Sequence, residues 1–132
     1  MQRWLLGSRG DMVEGALTLP LMALVSLALV NLALAGYASV TANNAVNYAA
    51  RIAAVSQHNV TSEAMTAANR ALQVGVGDYT VAIEADSHPG GMVRVSVQWE
   101  VPNFFGSLMP FFGAPNEPIN GEAVSVFRKE GW

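Results

Sequence analysis

From Gly15 to Ala50 the chain carries no Asp, Glu, Lys or Arg. As a helix, the part from about Ala16 to Gly36 is roughly 30 Å long, the thickness of a hydrocarbon core. A secretory signal has a shorter apolar core, about 7–15 residues closed by a small-residue cleavage site. Here the apolar residues run on well past that point, so the length favours an uncleaved membrane span. The composition agrees: with 52% hydrophobic and 13% charged residues, some of the surface must be sheltered by lipid or by partners.

Charge gives the expected orientation. Arg3 and Arg9 precede the span and no cation follows until Arg51, which puts the amino terminus in the cytoplasm and most of the chain outside it. The expected organisation is a leader-like segment over 1–14, a transmembrane helix over 15–36, and an extracytoplasmic stalk and α+β domain over 37–132. Two residues stand out in the entry to the span. Pro20 cannot donate to the carbonyl of Ala16, so the helix should bend or loosen there, with Thr18 or a neighbouring subunit available to that carbonyl. Glu14 lies at the membrane edge, where a carboxylate gains from the helix dipole and seeks a partner; it either docks another helix or snorkels into water.

Beyond Gly36 the helical pattern continues. Ala35, Ala38, Ala42, Ala45, Ala49 and Ile52 recur at helical spacing and form a stripe of small residues. Thr41, Asn44, Tyr48 and Arg51 form a polar face, so a stalk should reach about Gln57, its small stripe receiving the protein's own sheet. A short second helix follows, capped by Thr61 or Ser62, with Glu63 in its first turn and Met65, Ala68 and Leu72 on one face. "DYTVAIEAD" and "MVRVSVQWEV" alternate as half-buried strands joined by a hairpin at "SHPGG", and "EAVSVFRKE" presents Val124 and Val126 on one side. The predicted fold class is α+β: one amino-terminal transmembrane helix continuing into a stalk, a short second helix, and a small three-stranded antiparallel sheet.

Between the last two strands lies "PNFFGSLMPFFGAPNEPING". Phe104, Phe105, Leu108, Met109, Phe111 and Phe112 form an apolar cluster that water does not satisfy. They fold back onto the domain, meet the outer lipid interface, or touch a neighbouring subunit, and the small size of the core argues for shelter outside it.

Reactive chemistry is thin. His58 and His88 have no acid at a spacing that makes a triad or metal set. Asp78, Glu84 and Asp86 lack a calcium-loop pattern and read as solvated strand ends. The sequon at Asn59 is short enough to arise by chance. There is no cysteine, and with a net charge of -3 the seven Lys and Arg are scattered, which argues against a nucleic-acid partner. No cofactor, metal or small-molecule substrate is expected.

Arg9, Gly10, Val13, Glu14, a short apolar run, Pro20, and a small-residue helix bearing "NNAVNYAARIAAV" resemble TadE-like proteins, minor pilins or pseudopilins of the tight-adherence pilus system. The late strand "AVSVFRKE", ending in basic residues, is similar to that family's as well. The resemblance implies a non-enzymatic, single-pass protein of the cytoplasmic membrane that meets lipid and other membrane subunits through its amino-terminal helix. It further implies Gly10 as the position cut by a prepilin peptidase, and Glu14, with Pro20, as the assembly determinant. The alternative is an accessory single-span subunit of a larger electron-transfer or transport complex.

Overall fold

The computed structural model describes residues 7–56, 58–86, 88, 90–113 and 115–130. Arg3, Gln57, Ser87 and Pro89 lie outside them, and the described side chains begin at Met12 and omit Phe112. Helix α1 runs from Gly7 to Val55, α2 from Val60 to Leu72, then β1 from Asp78 to Ala85, β2 from Met92 to Val101, and β3 from Ile119 to Arg128. The strands form an antiparallel meander in the order β1-β2-β3. The fold is α+β, as the periodicity predicts.

Span and stalk are one helix. Alanine, the strongest helix former, is the commonest residue in the carboxy-terminal half of α1, and the helix ends where Ser56 folds back on it. The single Ser56 hydroxyl proton lies between two acceptors, the Ile52 carbonyl at 2.8 Å and the Glu63 carboxylate, tying the end of α1 to the first turn of α2. The cap of α2 differs from expectation: it is Asn59, in the left-handed region at φ 55°, without a side-chain bond to the helix. The reversal between the helices requires that backbone geometry, which Asn tolerates better than Thr or Ser. Ser62 donates instead to the Asn59 carbonyl.

The small stripe decides the packing. Ala38, Ala42, Ala45, Ala49 and Ala53 are fully buried, and from Ala42 onward they enter a core completed by Val93, Val95 and Val97 of β2, Ala123 of β3, and Ala64, Ala68 and Leu72 of α2. Register explains the choice of sheet face. Tyr79, Val81 and Ile83 stand opposite Trp99, Val97 and Val95, which in turn face Gly121, Ala123 and Ser125. Gly121 is needed here, because a Cβ would run into the Trp99 ring. Tyr79, whose ring fills the space above Gly75, donates its hydroxyl to the Val76 carbonyl. Burial, partly offset by that hydrogen bond, raises its pKa above the ordinary phenol value.

One expected face is corrected. Thr41 is buried rather than part of the polar face, because a helix pressed between a sheet and a second helix buries a stripe wider than one row of residues. Asn44, Tyr48 and Arg51 remain exposed. On β3, Val124 and Val126 share one side as expected; it is the open side of the sheet, and the inward residues are Ala123, Ser125 and Phe127. Buried Ser125 is satisfied by Asn47 of α1, at 2.9 Å, so the edge strand is joined to the helix by a polar bond.

Close packing at the stripe makes a direct prediction. Ala49→Leu forces extra methylenes between helix and sheet and should cost about 1–3 kcal/mol, read as a lower urea midpoint for the full chain in detergent micelles. Asn44→Leu, on the exposed side, should stay within about 0.5 kcal/mol of the parent.

Candidate functional site: the loop latched to the long helix

Among the described residues, α1 is the one helix long and apolar enough to cross a membrane, measured from Met12. From Met12 to Val30 none of its described side chains is buried, and all but half-buried Gly15 are exposed. Gly10 falls near the start of the helix. Glu14 is exposed, and its backbone carbonyl accepts the Thr18 hydroxyl. That bond corrects one expectation: Thr18 serves the Glu14 carbonyl and not that of Ala16, the one left without a donor by Pro20. The helical assignment runs unbroken through Pro20, consistent with local adjustment around a membrane-helix proline.

The first buried residue along α1, among the described side chains, is Asn31, at 5% exposure. Its amide makes two bonds to the loop after β2. Nδ2 donates to Asn103 Oδ1 at 2.7 Å, and Oδ1 accepts the Phe104 backbone N–H at 3.1 Å. Asn103 is a junction in turn. Its Oδ1 also accepts the Gly106 N–H at 2.7 Å, and its Nδ2 donates to the Glu117 carbonyl at 3.0 Å. Gly106 is confined between side chains, since a Cβ there would run into Asn103 and Asn116. The result is a polar latch that holds both ends of the loop against the helix.

Between those ends, Gly106 to Phe112 form a 3-10 helix that the sequence did not announce, closed by Gly113 at φ 75°. The phenylalanines expected to seek shelter are not gathered into the core. Phe104 is 45% exposed and Phe111 85%, while Phe105, Leu108 and Met109 are half-buried; the side chain of Phe112 lies outside the described ones. Phe105 lines a shallow groove with Ala28, Asn31, Leu32, Ala35, Asn103 and Ile119. The apolar surface of the loop is therefore continuous with that of α1.

The acidic residues take structural positions. Asp78 stands opposite Glu100 and Glu84 opposite Arg94 on the open face of the sheet. Asp86 accepts the Met92 N–H at 2.9 Å and shapes the hairpin. Among the described residues no group of three or more His, Asp or Glu is arranged to hold a metal ion. The signal for Asn31 was present in the sequence, since a side-chain amide inside an apolar span is costly unless it finds a partner. Its partner, Asn103, is far away in the chain and could not be read from spacing.

The fold and the latch define an α+β protein built on one membrane-length helix. Compared with protein-family models, curated proteins and solved structures, the chain gives no match.

Asn31→Ala removes the acceptor of the Phe104 N–H and one partner of Asn103, and leaving such groups unsatisfied costs about 1–3 kcal/mol. Hydrogen–deuterium exchange at Phe104 and Gly106 should accelerate while amides in the centre of β2 keep their protection. Unchanged exchange at Phe104 would mean that the loop is held by something else.

Proposed function

We propose that the chain is a non-enzymatic, single-pass protein of the cytoplasmic membrane, with its amino terminus inside, acting as a TadE-like minor pilin or assembly component of a tight-adherence-type pilus or secretion apparatus. The observation that carries the reading is the division of α1. One unbroken helix is exposed and mostly apolar from Ala16 to Val30, is buried at Ala38, and enters the core of a small sheet domain from Ala42 onward. Such a helix can exchange lipid for neighbouring helices along its bare part while displaying the domain outside. Glu14, exposed at the inner end of the apolar run, supplies a charge for which a neighbouring subunit's cation is the natural partner. Gly10, just before it, would be the processing position.

Reporter fusions at the carboxy terminus should be active only outside the cytoplasm; cytoplasmic activity would overturn the orientation and the pilin reading together. Glu14→Gln should leave the protein in the membrane and weaken recovery of its partners. Purification from the native membrane separates the readings. Pilus ATPase and platform proteins in the purified material support the proposal, whereas a cofactor-bearing complex makes the chain an accessory subunit.

A further inference from the structure

We propose that the loop from Asn103 to Gly113 is seated in the outer interface of the bilayer that α1 crosses, with Phe104 and Phe111 turned toward lipid. The inference rests on the membrane-spanning part of the reading above and goes beyond it by fixing where the domain sits.

Depth along the helix is the first argument. Asn31, the latch residue, lies roughly 26 Å along α1 from Glu14, so a span that begins beside Glu14 leaves the hydrocarbon close to the latch. The loop is bonded to the helix at that level. Leu29 and Leu32, beside Asn31, are exposed at 60% and 69%, and the loop's apolar surface meets theirs across the groove lined by Phe105.

Charge is the second. From Val101 to Asn116 the chain has no Asp, Glu, Lys or Arg, and the first charge after it is Glu117. A protruding loop in water has no reason to exclude charge while exposing Phe111 at 85%. An interfacial loop has one, because each charge carried toward the hydrocarbon is penalised and each ring is rewarded.

Backbone satisfaction is the third and the most specific. Lipid offers no hydrogen-bonding partners, so irregular chain near it must satisfy its polar groups internally. Several N–H groups of this loop are satisfied in that way. The Phe104 N–H goes to Asn31, that of Gly106 to Asn103, that of Leu108 to the Phe105 carbonyl and that of Gly113 to the Pro110 carbonyl. Ser107 donates to the Phe104 carbonyl at 2.5 Å. Pro102 and Pro110 have no N–H to satisfy.

The chain contains no cysteine, so a single introduced thiol carries a nitroxide spin label without background. Full-length Phe111→Cys, labelled and reconstituted at one chain per phosphatidylcholine nanodisc, should collide readily with oxygen. Its collisions with a water-soluble nickel chelate should be several-fold fewer than those of a label at Glu122→Cys on the open sheet face. Phe104→Cys gives an independent position and should behave like Phe111→Cys. A Leu24→Cys label reports on the span itself. If Leu24 is reached by oxygen and not by nickel while both loop labels are as open to nickel as Glu122, the loop stands in water and the inference fails alone. Loop labels that are immobile and shielded from both reagents indicate a protein cover and also overturn it. A nickel-accessible Leu24 overturns the membrane-spanning reading and the inference with it.

Discussion

Everything in this structure depends on how closely α1 can approach the sheet. The face of the helix that enters the core is mostly alanine, with Val46 the one larger fully buried side chain among those described, so it can lie close to Val93, Val95 and Val97 of the sheet. Dispersion attraction across so tight a contact is collectively large, although each atom pair contributes little. The domain is small and could not form a core from its sheet alone. The helix supplies the missing layer, and α2 closes the remaining side with Ala64, Ala68 and Leu72.

The same helix must satisfy two surroundings. Its carboxy-terminal half mixes small apolar residues with Asn and one Arg, as a helix packed on one side in water would, and the stretch from Ala16 to Val30 is apolar on nearly every side, as a segment in lipid would be. The changeover falls near Asn31. There a buried amide, which would be a burden in an isolated span, is satisfied by Asn103 and the Phe104 backbone. The latch makes the loop part of the helix surface.

The element order could be read almost directly from the sequence, because periodicity is a local property. The alternation in "MVRVSVQWEV" and the spacing of Ala38, Ala42, Ala45 and Ala49 each point to one face, and each face is the one that is buried. Local pattern failed where tertiary geometry decides. Thr41 was misread because helix and sheet together bury more of α1 than one stripe. Asn59 replaced Thr61 and Ser62 at the start of α2 because the turn, and not the cap chemistry, sets that position. The outward direction of Val124 and Val126 follows from pairing register, which composition does not reveal. The phenylalanine loop was visible as an anomaly of composition, yet its attachment to Asn31 depends on two amides separated by most of the domain.

In the proposed arrangement one continuous helix passes from lipid into the core of an external domain. Single cysteines on exposed positions along α1 test it most directly, using a membrane-impermeant maleimide applied from outside to intact cells. The account predicts labelling at Asn44 and Arg51 and none at Leu17, Leu21 or Leu24, with the change falling near Asn31. Uniform labelling from Leu17 to Arg51 would mean that the whole helix stands in water, and would contradict it.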